Sequence, residues 1–268
     1  MLTCQEYQIQ NIKNISMRVH YTPGLDVKKP LVIGEHGLLG GCKTRYSEAM
    51  MSAIRDCGFP TLEVDATNSN NNYSGGELKK FTMERHAGDL RDAFLWASKR
   101  EAAWLRNKFA LAGHSMGGYS VLEMAAQMAE DVKFVVAFSP VISGKQVKAA
   151  WDPQHLKTWK RDGFFEVKGD FLQEGTLPWS VWQEWEKHDV RTVADKLTMP
   201  ILFVVGADDV VIPARDVEEF ADSLPNGHPN NRVAVIQGAD HLFQSPDGVI
   251  QNGELFQQVG KFIDTLDR

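Results

Sequence analysis

A serine that could act as a nucleophile lies in the stretch FALAGHSMGG, which runs from Phe109 to Gly118. Gly113, Ser115 and Gly117 fit the pattern G-x-S-x-G, and they stand between a predicted strand and a predicted helix. In such a turn the serine is strained and its Oγ is exposed above the sheet. The residues two before and two after must be small, because strand and helix nearly touch there. The pattern alone is short, but its position between these two elements favours Ser115 as a nucleophile.

A serine hydroxyl needs a general base, and the base needs a carboxylate to orient it. The predicted strand ILFVVG is followed by ADDVVIP, which offers Asp208 and Asp209. The last predicted strand, RVAVIQ, is followed by GADHLF, which offers His241. Serine, aspartate and histidine in this chain order form a known type of triad, so His241 is the predicted base. These residues alone leave the choice between the two aspartates open.

The other histidines have simpler interpretations. His36 and His114 flank the predicted site, and we expect them to hydrogen-bond backbone groups and shape loops. The remaining histidines lie in polar or helical surroundings, and we expect most of them on the surface. They are His20, His86, His155, His188 and His228.

Strands alternate with helices along most of the chain, which determines how these residues can meet. Two strands with alternating polarity come first, in EYQIQNI and SMRVHYT. Six apolar runs follow, with helical segments between most of them: PLVIGEH, FPTLEVDA, NKFALAGH, KFVVAFSP, MPILFVVGA and NRVAVIQGA. This order predicts an α/β fold with a mostly parallel eight-stranded sheet and helices on both faces. We expect residues 1–268 to form one domain.

One segment, from about residue 143 to 196, is too long for a simple crossover between strands. It contains five of the seven tryptophans of the chain. It is either a surface excursion with a small aromatic core of its own, or a cap over the carboxyl ends of the strands that walls a pocket. The two interpretations are compatible. A cap would make five residues candidates for substrate contact: His114, Trp151, Trp159, Trp179 and Trp182.

Composition and charge exclude several classes of protein. The net charge is −6 and no basic stripe is present, which argues against nucleic acid as a partner. Cys4, Cys42 and Cys57 match neither a disulfide framework nor the spacing of a metal site. No apolar run approaches the roughly 18 residues of a membrane span, and the N-terminus lacks an apolar signal core. We expect a cytoplasmic protein. The alternative is a chain from which a signal peptide has been removed. The sequence does not predict an oligomeric state.

The chain resembles serine hydrolases of the α/β-hydrolase superfamily along nearly its whole length, and among them small carboxylesterases of the cinnamoyl/feruloyl type. The stretches that carry the resemblance are HGLLGG, GHSMGG, GADDVVIP and IQGADHLF, and a cap of similar length falls at the same place. The resemblance assigns the acid to Asp209, three residues after Gly206. It also assigns the two amides of an oxyanion hole to Leu38 and Met116.

The resemblance implies hydrolysis of a small-molecule ester through an acyl-enzyme, with no metal or organic cofactor. The tryptophan-rich insert favours an apolar or aromatic acyl group. Thioesterases, peptidases, acyltransferases and C–C bond hydrolases use the same fold and triad, so they remain alternatives. A non-catalytic binding protein is a further alternative, which the presence of suitable residues at all three triad positions disfavours.

Overall fold

An eight-stranded sheet lies at the centre of the molecule. The computed structural model describes residues 3–26, 28–69, 73–100, 108–167, 175–224 and 231–266, without the side chains of residues 148–150. The strands are β1 (Gln5–Gln10), β2 (Ser16–Thr22), β3 (Leu31–Glu35), β4 (Thr61–Asp65), β5 (Phe109–His114), β6 (Val132–Phe138), β7 (Phe164–Val167), β8 (Gly175–Pro178), β9 (Ile201–Gly206) and β10 (Arg232–Ile236). The helices are α1 (Arg45–Asp56), α2 (Met83–Arg100), α3 (Met116–Gln127), α4 (Gly144–Ala150), α5 (Pro153–Asp162), α6 (Trp179–Trp185), α7 (Ala214–Ser223) and α8 (Asn252–Leu266).

The strand order in the large sheet is β1-β2-β4-β3-β5-β6-β9-β10. β2 runs antiparallel to β1 and to β4, and the other neighbours are parallel. This confirms the mostly parallel eight-stranded sheet that the sequence predicts. The chain leaves β3 for β4 on one side and returns through β5 on the other, so the strand order reverses between β3 and β5. The carboxyl ends of strands at such a switch point form the crevice in which open α/β sheets bind ligands.

Helices cover both faces of the sheet, which explains why β3 and β5 consist entirely of buried residues. Leu31 and Ile33 pack into the core on the side of α2 and α3. Val32, between them, packs into the core on the side of α1 and α8. This alternation follows from the period of two in a strand. The nearly continuous apolar runs in the sequence therefore correspond to strands that are buried on both faces. Among the described residues, no helix combines the length and the apolar character that a bilayer crossing requires.

The tryptophan-rich segment stands between β6 and β9 and contains α4, α5, the antiparallel hairpin β7–β8 and α6. Residues 168–174 of this insert lie outside the described part of the chain. A bridge between Ser143 and Asp189 brings its two ends together. Trp182 lies at the centre of an aromatic cluster, with ring centroids 5.4–6.1 Å from four others. These four rings are Trp151, Trp159, Trp179 and Trp185.

Polar contacts attach the insert to the helices beside the sheet. The Glu184 carboxylate of α6 accepts hydrogen bonds from the backbone N–H groups of Met83 (2.9 Å) and Glu84 (3.1 Å), at the start of α2. These N–H groups have no partner within their own helix, and the positive end of the helix dipole favours a carboxylate there. The hydroxyl of Tyr119 in α3 lies 2.8 Å from Nδ1 of His188, just after α6. The insert is therefore fixed to α2 and α3, and α3 begins directly after Ser115.

Candidate active site

Ser115 occupies a sharp turn between β5 and α3, with φ 54° and ψ −113°. A positive φ is strained for a residue other than glycine and persists only where the surroundings hold it. Here the Ser115 N–H donates to the carbonyl of Phe138 (2.9 Å), and its carbonyl accepts from the N–H groups of Tyr119 (3.1 Å) and Val141 (2.9 Å). The turn presents a partly exposed serine at the carboxyl end of β5.

The glycines on either side of Ser115 lie where no Cβ atom fits. A Cβ on Gly113 would overlap the carbonyl of Gly117, and a Cβ on Gly117 would overlap the carbonyls of Glu35 and His36. Strand, turn and helix therefore meet with backbone in direct contact. This is the close approach that the G-x-S-x-G spacing predicts.

We expect Gly117→Ala to lower the free energy of unfolding by about 1–3 kcal/mol or more, because backbone atoms must move to admit the methyl group. Activity should fall with it, since the same shift displaces Ser115. The matched control is Gly260→Ala in α8, where a Cβ would meet nothing within 4 Å. An alanine there should leave stability unchanged or raise it by up to about 1 kcal/mol. Urea unfolding and ester hydrolysis of both variants test this, and equal stabilities would contradict it.

The structure brings Ser115, His241 and Asp209 together in one hydrogen-bonded chain. His241 follows β10, and its Nε2 lies 3.0 Å from Ser115 Oγ. Its Nδ1 lies 2.8 Å from Oδ2 of Asp209, which follows β9. Nδ1–H can therefore donate to the carboxylate, which leaves Nε2 to accept the serine proton. The side chain of His241 is 18% exposed, whereas the Asp209 carboxylate is fully buried.

Three neighbours favour the charged form of Asp209. Burial raises the pKa of its carboxyl group, but hydrogen bonds and the nearby imidazole of His241 outweigh burial and lower it. Oδ1 accepts hydrogen bonds from the backbone N–H groups of Val211 (2.9 Å) and Ile212 (2.8 Å). Asp208, its neighbour, is exposed, and its side chain does not hydrogen-bond to His241. Of the two aspartates that the sequence offers, only Asp209 faces the histidine.

His36 and His114 hydrogen-bond to backbone groups, which confirms the prediction that they shape loops. His114 is buried, and its Nε2–H donates to the carbonyl of His241 over 2.9 Å. Burial lowers the pKa of His114 to about 3, with the nearby His241 adding to the effect, so the ring is neutral. His36 donates from Nδ1 to the Gly37 carbonyl (2.7 Å) and accepts the Ala66 N–H at Nε2 (3.0 Å). These bonds fix the loops that carry His241 and Leu38.

The backbone around Leu38 and Met116 lies close to Ser115. Met116 is the first residue of α3, where N–H groups have no intrahelical partner and the helix dipole is positive. Gly37, which precedes Leu38, passes so near the serine that a Cβ built on it would lie 3.0 Å from Ser115 Cβ. Two chain segments with backbone N–H groups thus lie close to Ser115.

The tryptophans and His114 differ in how far they could contact a ligand. Trp159 and Trp182 are each only 1% exposed and lie inside the aromatic cluster of the insert. Trp159 Nε1–H donates to the carbonyl of Leu177 in the hairpin (3.0 Å). Trp151 and Trp179 are partly exposed at the edge of that cluster. His114 is buried behind His241, so the partly exposed tryptophans are the accessible members of the predicted substrate-contact set.

Two of the histidines that we expected on the surface are buried, which corrects that expectation. His20 is 2% exposed and His86 0%. Each lies against a buried acid, Asp65 for His20 and Glu35 for His86. His155 is exposed and His188 partly buried, while His228 lies outside the described residues. The missed signal was the carboxylates within the apolar strands LVIGE and TLEVD, which require buried partners.

The backbone carbonyl of Glu35 lies against Gly117 of the serine turn, and the Glu35 side chain is fully buried. Its Oε2 lies 3.0 Å from His86 Nδ1. Burial raises the pKa of Glu35 to about 8 and lowers the pKa of His86 to about 4. Both side chains are therefore mostly uncharged at neutral pH, which avoids an ionised group in the core.

The raised pKa of Glu35 predicts that the stability of the fold depends on pH. The folded protein holds the Glu35 proton more tightly than the unfolded chain does, so the stabilisation is complete below the unfolded pKa of about 4.3 and is lost as pH rises towards about 8. In that window the contribution falls by up to about 1.4 kcal/mol per pH unit. Burial also raises the pKa of Glu63, to about 7, so Glu63 adds a further loss of stability as pH rises. Glu35→Gln should remove the Glu35 part alone.

Urea unfolding from pH 4.5 to 8.5 tests this prediction by the difference between wild type and Glu35→Gln. The control is Glu218→Gln, which changes an exposed glutamate of α7. If the free energy of unfolding changed with pH in the same way in wild type and Glu35→Gln, the prediction that Glu35 is buried in its neutral form would be contradicted.

Solved structures share this fold over almost the whole chain. Est1E from Butyrivibrio proteoclasticus, with ferulic acid bound, is similar with a TM-score of 0.77 and 20% sequence identity, covering 97% of this chain and 99% of that one. Mouse alpha/beta hydrolase domain-containing protein 10 has a TM-score of 0.72 and 17% identity, over 98% of both chains. The Pyrococcus furiosus esterase Pf2001 has a TM-score of 0.70 and 17% identity, over 98% of this chain and 90% of that one. These similarities show the α/β-hydrolase fold.

A family model gives the classification. The model described as Esterase matches residues 93–258, which is more than half of the chain and includes Ser115, Asp209 and His241. No curated protein matches the chain. The resemblance to α/β-hydrolase esterases that the sequence motifs indicate is thereby confirmed. The chain belongs to the Esterase family, as a hydrolase that acts on esters and has the α/β-hydrolase fold.

Proposed function

We propose that this chain is a serine carboxylesterase that cleaves a small-molecule ester through an acyl-enzyme. Ser115 is the nucleophile, His241 the general base and Asp209 the carboxylate that orients the imidazole. The observation that carries the proposal is the hydrogen-bonded chain from Asp209 through His241 to a partly exposed Ser115, with distances of 2.8 and 3.0 Å. Nucleophile, base and orienting acid in this geometry are the parts that serine catalysis needs.

In the first half-reaction, Ser115 Oγ attacks the ester carbonyl carbon while His241 Nε2 takes the hydroxyl proton. The backbone N–H groups of Leu38 and Met116 stabilise the resulting oxyanion, a contribution whose loss typically costs about 10²–10³-fold in rate per donor. The tetrahedral intermediate then collapses. Its C–O bond to the alcohol breaks, and His241 gives the proton to the leaving alkoxide.

The second half-reaction repeats these steps with water. His241 takes a proton from water as the water oxygen attacks the acyl carbon, and the proton passes to Ser115 Oγ when the acyl–serine bond breaks. The products are the free acid and the original enzyme. Asp209 stays ionised throughout and stabilises the imidazolium that forms twice in each cycle, which agrees with its lowered pKa.

We further propose that the insert of about residues 143–196 is a cap subdomain on a single domain of residues 1–268. Its attachment to α2 and α3 supports a place beside the serine turn. The acyl group is proposed to be apolar or aromatic, with Trp151 and Trp179 as the contacting rings. A reducing cytoplasm is the proposed location, because the three cysteines are unpaired thiols.

Single alanine substitutions distinguish tryptophans that stabilise the insert from tryptophans that contact the acyl group. Trp182→Ala removes a buried ring from the centre of the cluster and should lower the free energy of unfolding by about 3–5 kcal/mol, with the ranking of esters unchanged. Trp151→Ala and Trp179→Ala should instead change kcat/KM for aromatic relative to short acyl groups, by about 5- to 150-fold for the contacting ring. Thermal unfolding and a panel of esters measure both effects. If neither partly exposed tryptophan alters the ranking, the cap does not wall the acyl site.

An ester panel with matched competing substrates tests the proposed reaction. Carboxylic esters of varied acyl length, with one aromatic member, are compared with thioesters and peptides of the same acyl groups, and with acyl transfer to an added alcohol. The proposal expects the highest kcat/KM for the carboxylic esters, with water as the acceptor. Faster turnover of thioesters or peptides, or transfer exceeding hydrolysis, would replace carboxylesterase by the corresponding alternative.

A further inference from the structure

A cluster of buried side chains of the types that bind metal ions lies outside the proposed triad. His20 on β2, Cys42 in the loop before α1, and Asp65 at the end of β4 are all buried. Their ligand atoms lie within 4.8 Å of one another, and this is the group with metal-binding potential among the described residues. The three come from separate segments, which explains why cysteine spacing in the sequence gives no metal signal.

Hydrogen bonds connect the three residues of this cluster. His20 Nε2 lies 2.6 Å from Asp65 Oδ2, and the Cys42 N–H donates to Asp65 Oδ1 over 2.7 Å. His20 Nδ1 is buried without a hydrogen bond, and its neighbouring acid is Glu6, with Oε1 3.4 Å away. Nε2 thus contacts the Asp65 carboxylate, while Nδ1 lies near a second carboxylate at the surface.

We propose that His20 Nε2, Cys42 Sγ and the Asp65 carboxylate bind one divalent transition-metal ion, with zinc as the best fit. Nitrogen, thiolate and carboxylate are the ligands that zinc takes in proteins. Glu6 stands where it can accept a hydrogen bond from His20 Nδ1–H, the arrangement that orients metal-bound histidines. A dication bound by one thiolate, one carboxylate and a neutral imidazole leaves no net charge in the buried cluster.

The protons balance in this binding step. Burial and the nearby carboxylates of Asp65 and Glu63 raise the pKa of the Cys42 thiol, so it is protonated without a metal. The metal ion forms bonds to Sγ and to His20 Nε2. The thiol proton leaves to solvent, and the proton that Nε2 donates to Asp65 moves to Nδ1, where Glu6 can accept it, so the imidazole stays neutral.

A cavity of about 290 Å³ gives the ion an approach to this cluster, and His20, Cys42, Glu63 and Cys4 are among its lining residues. The cavity has room for a water molecule as a fourth ligand. Neither Ser115 nor His241 lines it. Because Cys42 lies in the segment that also carries Leu38, a bound ion would tie this segment to β2 and β4. Such an ion would stabilise the fold and would take no part in ester chemistry.

Cobalt(II) and zinc(II) titrations of the chelator-treated full chain test the proposal. Cobalt should bind at one equivalent with the near-ultraviolet absorption of a thiolate–cobalt bond, and zinc should displace it. At about a hundredfold excess over Kd, zinc should raise Tm by about 5 °C. Cys42→Ser and His20→Gln, checked for folding by circular dichroism, should lose the absorption and the shift. Cys57→Ser, which changes a cysteine outside the cluster, should keep both.

Absence of the thiolate absorption in folded wild type would overturn the proposal. So would an equal absorption in Cys42→Ser, because cobalt would then be bound elsewhere. The readouts are spectroscopic and thermal, so the outcome does not depend on whether the proposed esterase reaction is correct.

Discussion

Ser115→Ala and His241→Ala should each reduce kcat for ester hydrolysis by about 10⁶-fold, leaving only the enhancement of about 10³–10⁴-fold over water that an oxyanion hole and substrate binding can supply. The reason is that nucleophile and base act as a unit: without His241 the Ser115 hydroxyl keeps its proton, and without Ser115 no acyl-enzyme forms. Both side chains are partly exposed, so neither deletion leaves a large cavity in the core. Initial rates on one activated ester, with circular dichroism as the check of folding, measure the effect.

Matched controls exist for both substitutions. Ser180→Ala and His155→Ala change exposed residues of α6 and α5, and they should leave kcat unchanged. Retention of most of the activity in folded Ser115→Ala would mean that another group attacks the ester.

Asp209→Asn should lower kcat by about 10⁴-fold, by analogy with a well-studied triad. The amide group of asparagine can donate a hydrogen bond to Nδ1 and so favours the tautomer that has its proton on Nε2. That tautomer cannot accept the Ser115 proton. The loss of the negative charge also removes the stabilisation of the imidazolium.

The adjacent Asp208 provides the control, because it is the same residue type at an exposed position and does not hydrogen-bond to His241. Asp208→Asn should keep kcat within a few-fold of wild type. Parallel kcat measurements on both variants over a pH series separate the roles. A larger loss in Asp208→Asn than in Asp209→Asn would contradict the assignment of the acid.

The local part of the site could be predicted from sequence because short-range sterics determine it. The strand, the serine turn and the helix come so close together that glycine is needed at positions 113 and 117. A Cβ atom at either position would overlap neighbouring backbone carbonyls. His241 follows from its position after the last strand. The choice of Asp209 over Asp208 came from a resemblance, since two adjacent aspartates in one loop look alike in a single sequence.

The rest depends on which strands become neighbours, and the sequence does not state that directly. His20 looks like a surface residue of an edge hairpin, but β2 lies between β1 and β4, where Asp65 meets it. Glu35 and His86 are 51 positions apart and meet only because α2 packs against β3. The tryptophans allowed two interpretations, and only the three-dimensional packing separates buried Trp159 and Trp182 from partly exposed Trp151 and Trp179.

The central claim is that Ser115 forms a covalent acyl-enzyme, and covalent labelling with a fluorophosphonate tests it most directly. The serine oxygen displaces fluoride from phosphorus, so mass spectrometry of the treated protein should show one adduct, on the peptide that contains Ser115. Ser115→Ala should stay unlabelled, and labelling of wild type should abolish ester hydrolysis in proportion to the adduct. Folded, active wild type that takes up no label, or that carries it on a residue other than Ser115, would contradict the account.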